Sequence, residues 1–148
     1  MDSVRLVIAQ FCDDIRHEVG NKFSFMGCYS DEMILDKLPT VLPKLCARVQ
    51  VMTPVDRPFA RLTIRANLNG DCLAEIEMPI TSELKESYQR KAPKADLGRL
   101  SIQAMIVISP LVVSEECRLN IEAETEDGIT QGSYLLIRES KPDDSPMI

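Results

Sequence analysis

The chain has no tryptophan, a single histidine and only 5% aromatic residues. Without tryptophan, and with Tyr88 as the one ring beside its basic cluster, it offers no stacking platform for single-stranded nucleic acid. A net charge of −6 points the same way, because phosphates are repelled overall. No stretch approaches the roughly 18 apolar residues a helix needs to cross a bilayer. The apolar run Met105 to Val113 is short and broken by Ser109-Pro110. Met1-Asp2-Ser3-Val4-Arg5 places no basic segment ahead of an apolar core, so no secretory signal is expected. GxGxxG, GxxxxGK[ST], GxSxG and HExxH are all absent, which removes enzymes whose chemistry leaves a short signature. No catalytic residue and no cofactor is called for.

Five cysteines (Cys12, Cys28, Cys46, Cys72, Cys117) cannot all pair, and none belongs to a CxxC. Zinc sites usually need closely spaced ligand pairs. The expectation is buried, reduced thiols acting as small hydrophobes in a cytoplasmic protein.

What is present is a two-residue rhythm. Arg61 to Leu68 and Cys72 to Ile80 both alternate apolar with polar residues around Asn69-Gly70-Asp71. That is a β-hairpin with one dry face, turned by residues that tolerate positive φ. An even loop in unbroken register would oppose Ile64 to Glu75 and put the faces in conflict. An odd loop, or a bulge of equal effect, pairs Ile64 with Ile76, Leu62 with Met78, Ala66 with Ala74 and Arg65 with Glu75.

Similar patterning predicts strands over Val4–Cys12, Lys22–Ser30, Leu45–Met52, Leu100–Ile108, Arg118–Thr125 and Ile129–Arg138, with a short edge strand at Met33–Leu35. Pro39 and Pro43 are expected to forbid regular pairing between them. Gly27 marks a bulge or a close backbone contact. The last strand is apolar on both sides at Leu135, Leu136 and Ile137, which suggests cover on both faces or a subunit contact. Ser82 is placed to cap a short helix carrying Leu84 and Tyr88, ended by Pro93, that crosses between two sheets. The fold class is therefore all-β: an antiparallel β-sandwich of Ig-like or C2-like type, of about eight strands with one crossover helix. A β-barrel is the alternative. Residues 1–139 form the single domain, and 140–148 a disordered tail.

Asp13, Asp14, Ile15, Arg16 and His17 read as a polar connection between the first two strands, with carboxylates capping backbone amides and Ile15 as an anchor. A recognition loop is their functional alternative. Cys12 with His17 and the intervening carboxylates could also be imagined as a nucleophilic site, though adjacency in sequence is little support for one. Acidic pairs at Asp13-Asp14, Asp31-Glu32 and Glu126-Asp127, with Asp36, could in principle converge on a divalent cation. Arg90, Lys91, Lys94 and Arg99 form the one basic concentration, read as a solvated helix end.

Cys12-Asp13-Asp14-Ile15-Arg16, then Glu18, Gly20, Lys22 and Gly27-Cys28-Tyr29, resembles the N-terminal pattern of a family of small uncharacterised bacterial proteins. The resemblance covers Phe11 to Tyr29 and implies a bacterial cytoplasmic protein with a compact β fold. It carries over no functional residue. The expected function is a non-enzymatic protein-binding or assembly module. Its partner is another protein or a second copy in a homodimer; neither nucleic acid nor membrane is expected. The alternative is a domain that binds a small ligand or divalent metal through its acidic loops.

Overall fold

The computed structural model describes residues 4–91 and 98–144. The described residues form eleven strands and one helix: β1 (Leu6–Glu18), β2 (Lys22–Cys28), β3 (Glu32–Leu35), β4 (Thr40–Leu42), β5 (Leu45–Pro54), β6 (Leu62–Leu68), β7 (Asp71–Met78), α1 (Ser82–Lys91), β8 (Arg99–Ile108), β9 (Leu111–Val113), β10 (Cys117–Thr125) and β11 (Gly128–Glu139). One sheet has the order β2-β1-β5-β8 and the other β3-β11-β10-β6-β7, with β4-β9 as a small third sheet. The fold is the all-β sandwich expected. Its order β11-β10-β6-β7 corresponds to G-F-C-C′ of immunoglobulin domains, and β5-β8 to B-E. The helix stands in the connection that would carry strand D.

The inward set of each strand is its alternating apolar set. Val49 and Val51 of β5, Ile102 and Ile106 of β8, Ile64 of β6, Ile121 of β10 and Leu135 and Ile137 of β11 meet in one core. The β6–β7 register is as expected: Leu62 opposes Met78, Ile64 opposes Ile76, Arg65 opposes Glu75 and Ala66 opposes Ala74. The loop is the even one, Asn69-Gly70, and a bulge beside Ala66/Asn67 restores the phase. On one side of the sandwich β11 closes on β1. A Cβ at Gly132 would stand 2.6 Å from Val7 Cγ1, and the Ala9 amide donates to Ser133 Oγ at 2.9 Å.

Several expectations are corrected. The segment Asp13–His17 is not a connection: β1 continues to Glu18 and pairs with β2 at Cys12 and from Asp14 to Glu18. Thr40–Leu42 does pair, with β9, because a three-residue strand fits between Pro39 and Pro43 without using either proline as a donor. The helix cap is Thr81, whose Oγ1 accepts from the Leu84 amide at 3.2 Å, rather than Ser82. Cys28 and Cys72 are exposed instead of buried, and all five thiols are free. Leu136 and Tyr134 of β11 are exposed, so only its inward face is covered in this chain. The tail is held over its first residues: Ser140 donates to the Leu35 carbonyl, and Asp144 pairs with Arg138 at 2.8 Å. Pro93, Lys94 and residues 145–148 lie outside the described residues, as do the side chains of Tyr88 and Lys91.

Arg5, missed by the two-residue rhythm, ties one end of the sandwich. Its side chain is buried and donates to Thr53 Oγ1 (3.0 Å), Thr125 Oγ1 (2.7 Å), the carbonyls of Arg57 and Pro58, and Glu126 (2.5 Å). Asp127 lies 3.2 Å away and the Phe59 ring 4.9 Å from the guanidinium carbon. Burial pushes the Glu126 carboxyl up. The Arg5 hydrogen bond and the amides of Glu126, Arg61 and Ala60 outweigh this and hold it at about 2. A carboxylate depressed in the folded state stabilises the fold above its ordinary value near 4.5, and the gain is lost as pH falls toward 2. Urea midpoints of Glu126→Gln and the parent should therefore differ most near neutral pH and converge in acid. A difference that stays constant with pH would refute this coupling.

Candidate functional site

Cys12 to Tyr29 is one hairpin: β1 runs out past the sandwich, turns at Val19-Gly20-Asn21, and returns as β2. Gly20 and Asn21 both have positive φ, at 92° and 57°, the conformation the turn requires. Glu18 and Lys22 are partners beside it, so Glu18, Gly20 and Lys22 of the motif form the hairpin's end.

The rest of the motif forms the hairpin's base. Gly27, at φ 66°, leaves room for the Asp13 side chain, and the Tyr29 hydroxyl donates to Asp13 Oδ1. Burial and the adjacent Asp13 carboxylate both push the Tyr29 phenol up, so it stays protonated and keeps donating. Asp14 accepts from Lys44 Nζ at 2.5 Å, tying β1 to the segment before β5. That ammonium holds the Asp14 carboxyl below its ordinary range. Asp14 Oδ1 also accepts from the Ile15 amide at 3.0 Å. Asp13 and Asp14 thus serve as anchors rather than free recognition groups. Ile15 is half-buried in the ladder opposite Phe25.

Arg16 and His17 remain exposed toward the end of the hairpin. Arg16 reaches Glu18 at only 4.0 Å, and the His17 ring stacks on Phe23 with centroids 4.8 Å apart. Cys12 is buried, and its thiol is pushed up to about 11, first by burial, which is the opposite of an activated nucleophile. Around His17 and Arg16, Val19 is 94% exposed and Phe23 and Met26 are each 39% exposed. No β2 residue joins the core, and among the described residues no strand pairs with β2's outer edge. An exposed, unpaired edge without proline is a template for another strand.

The other candidates separate in space or are already occupied. Glu126 and Asp127 are committed to Arg5 and Arg57, and Glu32 to Arg138. Among the described residues, no three His, Cys, Asp or Glu side chains come together to hold a metal ion. Arg99 donates to the Val4 carbonyl at 2.7 Å, which gives part of the basic cluster a structural role. A pocket of about 310 Å³ lies between α1 and the segment before β6, lined by Phe59, Pro58, Leu100 and Lys85 among others. Sequence reasoning read the acidic and basic runs but not the hairpin's length. Counting back from a three-residue turn at Val19-Gly20-Asn21 in steady antiparallel register pairs Cys12 with Cys28 and turns the connection into a strand.

Comparison with protein-family models, with curated proteins and with solved structures finds no match for this chain.

Proposed function

We propose that this chain is a non-enzymatic protein-binding or assembly module whose contact surface is the β1–β2 hairpin. The observation that carries the reading is the open edge of β2, flanked by exposed Phe23, Met26 and Val19 and contributing nothing to the core. A partner strand added there would satisfy the edge amides and carbonyls by main-chain hydrogen bonds, while the rings and thioether supply apolar area. Self-pairing of β2 with β2 of a second copy, giving a homodimer, is the form considered first. The residues on which the resemblance to a small bacterial family rests then have a physical meaning, since they build and brace this hairpin. Five free cysteines fit a reducing, cytoplasmic setting.

Amide exchange over residues 22–28, measured across the micromolar concentration range, tests the reading. It expects slower exchange and a sedimentation coefficient above the monomer's as concentration rises. Phe23→Asp combined with Met26→Asp should abolish both changes while leaving the melting temperature within a few degrees of the parent. Concentration-independent exchange and a monomer throughout would overturn self-assembly.

A further inference from the structure

Cys12 stands directly opposite two other cysteines, Cys28 on β2 and Cys46 on β5. Cross-strand partners point to one face of a sheet, so three thiols form a row across neighbouring strands. The two pairs differ in kind. The Tyr29 amide donates to the Phe11 carbonyl at 2.9 Å, which turns that carbonyl toward β2. By the alternation of an antiparallel ladder, Cys12 then turns its own backbone groups toward β5. Cys12–Cys28 is the non-hydrogen-bonded pair, with Cα atoms roughly 4.5 Å apart, while Cys12–Cys46 is the wider hydrogen-bonded pair at roughly 5.5 Å. A disulfide needs Cβ atoms within about 3.5–4.5 Å, which the narrow pair meets better. Cys28 is also exposed, and Cys12 and Cys46 are buried.

We propose that Cys12 and Cys28 form a thiol–disulfide site at the base of the hairpin, oxidised by low-molecular-weight disulfides such as oxidised glutathione. The Cys28 thiolate attacks one sulfur of the glutathione disulfide. One glutathione leaves as a thiolate and takes a proton from solvent, and the other stays bonded to Cys28. Cys12 loses its proton to solvent and attacks the Cys28 sulfur. The Cys12–Cys28 bond forms and the second glutathione leaves as a thiolate. Two protein thiols are oxidised and one glutathione disulfide is reduced to two thiols.

The groups around Cys12 are Asp13 and Asp14 on its own strand, Cys28 on β2 with the Tyr29 phenol just after it, and Cys46 with nearby Lys44 on the β5 side. Burial first, then Cys46, Cys28 and Asp13, keep the Cys12 thiol protonated at neutral pH. Closure is therefore the slow step there, and it accelerates as pH rises. The bridge closes the ring from residue 12 to residue 28 and so locks the whole hairpin. This site stands on pairing geometry and does not depend on the protein-binding reading.

The test exposes the reduced full-length protein to oxidised glutathione over a range of pH, quenches by alkylation and maps the peptides. Cys12–Cys28 should be the dominant bridge, with a transient glutathione adduct on Cys28 and closure roughly tenfold faster per pH unit below the Cys12 value. Cys46→Ser should close as the parent does, and Cys28→Ser should leave Cys12 alkylated. Amides of residues 14–26 should exchange several-fold more slowly in the bridged form. A lasting Cys28 adduct beside alkylated Cys12 at alkaline pH, or a dominant Cys12–Cys46 bridge, would overturn the proposal.

Discussion

Replacing Arg5 by alanine should destabilise the fold by about 3–5 kcal/mol, the cost of removing one partner from a buried ionic cluster. The magnitude follows from what the side chain leaves behind. Thr53 and Thr125 are almost fully buried, and each would lose an arginine donor. Glu126 would keep its carboxylate beside an empty guanidinium site, with the amides of Ala60, Arg61 and Glu126 itself as remaining donors. The cavity against Phe59 adds a packing loss. Arg5→Lys should recover only part of this. An ammonium is a point donor and cannot reach β5, the 55–60 segment and the β10–β11 turn together, as the fork does. Urea denaturation measures both variants. A loss below about 1 kcal/mol for alanine, typical of a surface ion pair, would mean that the cluster is solvated and not a tie between elements.

Gly27→Ala is the second large effect, expected at about 2–3 kcal/mol. A non-glycine residue in left-handed backbone costs roughly 1–2 kcal/mol, and Gly27 sits at φ 66°. The new methyl would also stand 2.7 Å from the Asp13 carboxyl carbon, so Asp13 must move away from the Tyr29 hydroxyl. The steric part is separable. Asp13→Ala should cost little extra in the Gly27→Ala background, because the clash and the displaced hydrogen bond are then already gone. Full additivity of the two substitutions would show that they do not meet. Since both residues lie at the hairpin base, loosening should also appear as faster amide exchange over β2, with the core strands unaffected.

The two-residue rhythm carried a great deal of this protein. Strand alternation placed β5, β6, β7, β8 and β10 nearly to the residue, and face agreement fixed the pairing of Ile64 with Ile76. Those readings succeed because a strand between a core and solvent must alternate, and a slip by one residue would turn every apolar side chain outward. The candidate segment Asp13–His17 was found but misjudged in form. This end of β1 runs beyond the last pair with β5, where neither face is fully dry, so no alternation reports it. The same holds for Thr40–Leu42, too short between its prolines to show a period.

What the sequence alone determined was the class of the fold, the inward set of each regular strand and the turn positions, all of them local consequences of side-chain period and backbone preference. Only the tertiary structure decided that Arg5 gathers residues as distant as Thr53 and Glu126, that Asp13 lies over Gly27, and that three cysteines stand in one row. These depend on which strands become neighbours. Sheet order is set by the summed burial of the whole chain, and no window of the sequence contains that sum.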